Sequence, residues 1–183
     1  MKRNTTTRRN TRGFTLVELC AGIGICAALV SQAVPAMGKL QQEQRLRATA
    51  DTLASDLRFA RAEALRTNDS VFFRVSGKGA DACYLLHTGA KDDCDCAGGQ
   101  AVCKTARGQV IKAEWMPASG APVTLHSNAE TLEFQHRQGL VTQTGSIEVS
   151  LKSGVGIRQV IAITGRVRSC YTGAKVGGLS PCA

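Results

Sequence analysis

Three groups of residues in this chain have types and spacings that suit chemistry. The first is a lone carboxylate, Glu18, the one charge in the apolar run FTLVELCAGIGICAALVSQAVPAM from Phe14 to Met37. A carboxylate in an apolar membrane helix costs about 2.5 to 3.5 kcal/mol on insertion scales, so Glu18 needs a partner of opposite charge. The second is a set of six cysteines: Cys83, Cys94, Cys96, Cys103, Cys170 and Cys182. The third is Arg166-Val167-Arg168, following Gly165. Residues two apart in an extended segment point the same way, and two forked guanidiniums on one face suit two successive phosphates. Lys175 extends this patch, with Arg158 and Lys152 as further contributors, and Gly173, Gly177 and Gly178 let backbone approach a phosphate chain. Tyr171 is the aromatic nearby, so base stacking is limited and binding would be salt-sensitive and largely independent of sequence. The competing reading is a solvated strand face, or ion pairs with acids such as Glu148.

Other chemistry finds little support. His87, His126 and His136 are scattered, without the spacing of a metal triad or a Cys–His nucleophile pair. All three read as surface or loop residues. There is no P-loop and no dinucleotide fingerprint. Neither catalysis nor a cofactor is expected.

An even number of cysteines in an exported chain reads as a disulfide framework. Four fall between Asp81 and Gln109, with Cys94-Asp95-Cys96 and Gly98-Gly99 in a loop. Cys94 and Cys96 are too close to favour a mutual bond, so each pairs with Cys83 or Cys103, and which with which stays open. Cys170 and Cys182 close the C-terminal tail. Four thiolates suit zinc as the sharper alternative, but Cys-x-Cys is poor zinc spacing and no histidine is well placed, so no metal is expected. Cys20 and Cys26 lie in the apolar run as small hydrophobes.

The elements that position these groups begin with a basic leader. Lys2, Arg3, Arg8, Arg9 and Arg12 precede Gly13 without an acid. The chain carries +9 overall, with 23 bases and 14 acids; without the five leader bases the balance is 18 against 14, or +4. Much of the basic character is therefore a targeting feature. As a helix, Phe14 to Met37 spans roughly 36 Å, enough to cross a bilayer core, and the positive leader places its N-terminus in the cytoplasm. Three readings compete: a signal peptide cut after Ala33 or Ala36, a plain membrane anchor, or a segment cut between Gly13 and Phe14 and retained. Glu18 favours the third.

Gly13-Phe14-Thr15-Leu16-Val17-Glu18 behind a basic leader resembles the type III signal of type IV pilins and type II secretion pseudopilins. The resemblance implies that a prepilin peptidase/methyltransferase cuts after Gly13 and methylates Phe14 as the new N-terminus. It implies also that Glu18 is the assembly carboxylate, paired with the terminal amine of a neighbouring subunit. Pro35 stands at an offset similar to a proline of pilin helices and is expected to kink the helix.

Lys39 to Asn68 contains no Gly or Pro, and Leu46, Ala50, Leu53, Leu57, Ala60 and Ala64 recur at alternating spacings of four and three. Arg45, Arg47, Asp51, Asp56, Arg58, Arg61, Glu63 and Arg66 lie off that stripe, and Asn68-Asp69-Ser70 is a stop signal. Phe14–Asn68 is expected to be one long interrupted helix whose distal half lies on its own sheet domain. Residues 59–68, FARAEALRTN, resemble the Ala-Arg-x-Glu-Ala stretch that FimT/GspH minor pilins carry before their first strand.

Beyond Ser70 the period changes to that of strands, at Val71–Ser76, Cys83–His87, Gln109–Met116, Val123–Ser127, Thr131–Gln135, Ser146–Leu151 and Ile157–Thr164. With 43% hydrophobic and 20% charged residues in 183, disorder is not the default. The expected fold is α+β and pilin-like, one long helix packed on an antiparallel sheet and stapled by disulfides. Its parts are a leader (1–13), a membrane and assembly half-helix (14–38), an amphipathic half-helix (39–69) and a periplasmic sheet domain with a basic tail (70–183).

Gly165-Arg166-Val167-Arg168 after the last long strand resembles FimT/GspH domains again. In FimT-type minor pilins this region is implicated in binding DNA. The resemblance implies a low-copy pilus subunit, single-pass in the bacterial inner membrane, with other pilins and double-stranded DNA as partners. The alternative is the H pseudopilin of a type II secretion system, which caps or primes the pseudopilus.

Overall fold

An apolar stripe on a helix is stable in water only when something covers it, and in this chain the cover is β-sheet. The computed structural model describes Gly13 and residues 15–77, 82–116 and 123–182, without the side chains at 32, 33, 35 and 36. It divides into two compact units, Met1–Gln41 and Gln42–Ala183. Helix α1 (Leu16–Thr67) supplies the described secondary structure of the first unit and the opening element of the second.

In the first unit α1 exposes Leu16, Val17, Leu19, Ile23, Ile25, Leu29 and Val30. Its backbone stays helical through Pro35. Among the described residues no helix is long and apolar enough to cross a membrane. The leader and Phe14 lie outside the described residues, as does the Pro35 side chain.

In the second unit the stripe is covered completely. Leu46, Ala50, Leu53, Leu57, Ala60 and Ala64 are each at most 1% exposed. The helix stops where Asn68 turns left-handed, at φ 53°, a conformation asparagine tolerates better than most residues.

Among the described residues eleven strands follow: β1 (Val71–Ser76), β2 (Cys83–Thr88), β3 (Cys94–Asp95), β4 (Val102–Cys103), β5 (Gln109–Trp115), β6 (Val123–Ser127), β7 (Thr131–Phe134), β8 (Gly145–Leu151), β9 (Gly156–Ile161), β10 (Val167–Thr172) and β11 (Ser180–Pro181). They form two main sheets, ordered β5-β2-β1-β7 and β11-β10-β9-β8-β6, and a small β3-β4 ribbon. All pairings are antiparallel except β10 with β11. The antiparallel domain expected is thus built of two main sheets, and β10 makes part of the basic tail an inner strand paired with β9 from Val167↔Ile161 to Thr172↔Gly156.

Strand alternation puts Val71 and Phe73 of β1, Ile147 and Val149 of β8, and Ile157 and Ile161 of β9 into one core with the α1 stripe. Phe73 and Tyr84 stack there at 5.1 Å. Gln159 and Asp56 are paired inside, as burial demands, whereas His87 Nε2 is buried without a partner among the described residues. Gln159 is fully buried; its Nε2 donates to the Ala50 carbonyl at 3.0 Å, and Ser169 Oγ donates to its Oε1 at 2.6 Å. Asp56, read from sequence as lying off the stripe, is instead 5% exposed. Tyr84 Oη donates to it at 2.7 Å and Lys112 Nζ at 2.8 Å. Burial, then the bond to Asp56, pushes the Tyr84 phenol far up, so it remains a donor.

The other face of the first sheet carries a second small core of Cys83, Leu85, Cys94 and Cys96. Cys83 bonds Cys96, Cys94 bonds Cys103, and Cys170 bonds Cys182. The four thiols weighed as zinc ligands are therefore all in disulfides. Trp115 Nε1 donates to the Cys96 carbonyl at 3.2 Å, and Thr105 donates to the buried Asp93 from both backbone N and Oγ1, at 3.0 and 2.6 Å. His87 corrects another expectation. It is neither loop nor surface but fully buried on β2, stacked on Phe72 at 5.3 Å. The reason is parity: His87 shares the face of Cys83 and Leu85, which the disulfide loop covers.

Candidate functional site

Glu18, the expected assembly carboxylate, sits in the first turn of α1. Thr15 is the N-cap, its Oγ1 accepting from the Glu18 amide at 3.2 Å. Thr15-x-x-Glu18 is the spacing of a capping box, and an acid in the first turn complements the positive helix end. Local chemistry therefore gives Glu18 a place in the helix start besides any partner. Glu18 also lies on an exposed strip with Leu19, Gly22, Ile23, Cys26 and Val30, beside a groove of about 510 Å³. Small residues at 22 and 26 leave room for a second helix to come close. Cys20 and Cys26 are free and exposed. Gly13 is exposed; the cut would fall between it and Phe14.

The basic strand is built by pairing. β10 alternates, with Val167 buried and Arg166 and Arg168 exposed on either side of it. Gly165, just before, is buried with φ 73°, and a Cβ there would collide with the Gly139 carbonyl. Only glycine fits that turn, and so the turn delivers Arg166 at a set place. The two arginines nonetheless line different grooves. Arg168 lies with Val160 and the Cys170–Cys182 closure, beside a cleft of about 220 Å³. Arg166 lies against α1, in a groove shared with Arg58 and Arg61. Sequence reading had placed those two helix arginines only as off the stripe. Their i, i+3 spacing marks them as neighbours, but nothing local says that Arg166 faces them.

Among the described residues neither the Arg166 nor the Arg168 side chain has an ion-pair or hydrogen-bonding partner. Arg158 differs, and its place in the patch is corrected. Its Nε and Nη2 donate to Glu148 Oε2 at 3.0 and 2.7 Å, across the β8–β9 pair. Thr172 Oγ1 donates to the other oxygen at 2.8 Å. Burial pushes the Glu148 carboxyl up, but these bonds and the Arg158 charge outweigh it and hold the carboxyl below its usual range. Arg158 is thus spent within the sheet. Lys152 and Lys175 are both exposed.

Among the described residues no cluster of three or more His, Cys, Asp or Glu is placed to hold a metal. His126 is exposed on β6, while His136, half-buried in the loop after β7, has a buried Nδ1 without a partner.

The architecture has known counterparts. The type IV minor pilin FimU of Pseudomonas aeruginosa superposes with a TM-score of 0.50 at 16% identity, over 68% of this chain and 87% of that one. The minor pseudopilin EpsH from the type 2 secretion system of Vibrio cholerae gives 0.46 at 13% identity, over 68% and 95%. At such identities the likeness to FimU is one of fold. No curated protein sequence matches. The model of the family described as type II transport protein GspH matches residues 49–165, from the buried half of α1 through the turn before Arg166. That is well over half of the chain, and the protein belongs to the GspH family.

Proposed function

We propose that this chain is a low-copy subunit of a type IV pilus, made as a prepilin, cut after Gly13 and methylated on Phe14. The run from Phe14 to Met37 holds it in the bacterial inner membrane, with residues 70–183 in the periplasm. Its partners are the prepilin peptidase and other major and minor pilins. Membership of the GspH family supports a structural role and not an enzymatic one. The observation that carries assembly is Glu18, the lone charge of the apolar run, exposed on a strip of small and apolar residues. Glu18→Ala should leave processing largely intact and abolish incorporation, read by immunoblotting sheared filaments. Filaments containing the variant at parental levels would refute the role.

The finer function is binding of double-stranded DNA for uptake through Arg166, Arg168 and Lys175. Exposure of Arg166 and Arg168 without acidic partners supports it. Titration of labelled duplex DNA compares the parent with Arg166→Ala/Arg168→Ala, and absence of binding by the parent at low salt would sink the reading. The family's description as a type II transport protein favours a second reading, the H pseudopilin that caps or primes a secretion pseudopilus. Deleting the gene separates the two: one predicts loss of pili and transformation, the other retention of exoproteins in the periplasm.

A further inference from the structure

Several bases of the second unit are paired with acids. Arg66 is paired with Glu63, Arg74 with Asp92, Lys112 with Asp56 and Arg158 with Glu148. One groove gathers three that are not. It is about 430 Å³, lies between α1 and the turn that enters β10, and is lined by Arg58, Arg61 and Arg166. Among the described residues no carboxylate comes within ion-pair distance of any of the three. Like charges three apart on a helix repel, and a third guanidinium beside them adds to the repulsion. An anion lying among them would relieve it.

The groove is also held in shape. Arg61 Nε donates to the Gly139 carbonyl at 3.1 Å. That bond ties α1 to the loop after β7, and Gly165 packs so closely on both that a Cβ would sit 2.9 Å from Arg61 Nε. Arg61 thereby spends one donor on position and keeps its Nη groups, while Arg58 and Arg166 are exposed and unpartnered. Ala62, Leu65, Gly165 and Val167 complete the lining. Rigid, planar, multiply donating cations in an open trough match phosphate oxygens better than they match any neutral group.

We infer that Arg58 and Arg61 of α1 form, with Arg166, a phosphodiester-binding groove, so that a nucleic-acid backbone held by β10 also runs along the helix. The inference rests on the DNA-binding reading above and adds the helix to it. Arg58 contacts phosphate directly; Arg61 does so while also positioning the Gly165 turn.

The test uses the full chain in a neutral detergent, titrated with fluorescein-labelled duplex DNA across a salt series. The variants are Arg58→Gln, Arg166→Gln/Arg168→Gln, and Arg107→Gln as a control that removes an equal charge from an exposed loop position elsewhere. Losing one phosphate contact lowers the slope of log K against log salt by ~0.9 and weakens binding at 0.1 M salt by roughly 5- to 10-fold. Arg58→Gln should show both changes and Arg107→Gln neither. If Arg58→Gln titrates like the parent while the β10 double variant is impaired, the helix is not part of the site, and DNA binding by β10 stands. If the parent itself does not bind duplex at low salt, the DNA-binding reading fails and the groove assignment with it. A polyglutamate competitor covers the remaining case. If it binds the parent as tightly as DNA does, and Arg58→Gln loses both, the groove takes an acidic protein surface and the phosphate assignment is overturned.

Discussion

Asp56 to alanine would strand two donors in or near the core. Tyr84 is 1% exposed, so its hydroxyl, now 2.7 Å from the carboxylate, would lose its partner with no route to water. A buried donor left unmade costs ~1–3 kcal/mol. Lys112 is different. Its side chain is 34% exposed and lies 3.4 Å from Glu114, so it can turn outward, and solvent screening limits its share to about 0–1 kcal/mol. The expected loss is therefore about 2–3 kcal/mol, mostly from one hydroxyl. For a domain near 150 residues that is roughly 5–12 °C in melting temperature. Near-ultraviolet circular dichroism during thermal and urea unfolding reads it. A double-mutant cycle sharpens the test. Tyr84→Phe removes the stranded donor, so Asp56→Ala/Tyr84→Phe should be less destabilised than the sum of the singles, with a coupling of at least ~1 kcal/mol. Additive singles would show that the bond contributes nothing and that Asp56 matters, if at all, through Lys112.

Two other perturbations have worked outcomes. Replacing Cys94 and Cys103 by alanine opens a loop of sequence separation 9, and replacing Cys83 and Cys96 opens one of 13. Loop-closure entropy puts each at about 3 kcal/mol, so both variants should unfold at clearly lower urea, and the parent reduced by dithiothreitol, which also opens Cys170–Cys182, should unfold at lower urea than either. His87 predicts a pH effect. Burial pushes its imidazole below the ordinary histidine value and the Arg74 charge adds to that; the Thr88 carbonyl and the Asp92 and Asp93 charges oppose. The unfolded chain then binds the extra proton first. Stability is full above the unfolded value of about 6.5 and falls as pH drops below it toward the lowered folded value, by at most ~1.4 kcal/mol per pH unit. His87→Leu should flatten urea midpoints between pH 7 and 5, and an unchanged pH dependence would refute the assignment.

The readings that needed only neighbouring residues came from the sequence itself. The spacing of Leu46, Ala50, Leu53, Leu57, Ala60 and Ala64 encodes which face of α1 is buried, because helix geometry turns spacing into direction. Alternation in Ile147, Val149 and Leu151 does the same for β8, and Asn68-Asp69-Ser70 marks the end of α1 because asparagine tolerates the left-handed turn. Other features depend on chain segments far apart, and these the tertiary structure decided. Asp56 looks like surface until Tyr84 and Lys112 arrive from β2 and β5. His87 looks like surface until the disulfide loop covers its face. Cys94 and Cys96 have equal claims on Cys83 until β3 pairs with β4 and sets Cys94 opposite Cys103. β4 and β11 are two residues each, too short to show a period. The basic motif shows the division most clearly. Gly165, Arg166 and Arg168 are legible as residues, but loop closure places Gly165 against Gly139 and Arg61. That contact sets Arg166 beside a helix more than 100 residues earlier in the chain, and no local pattern can encode it.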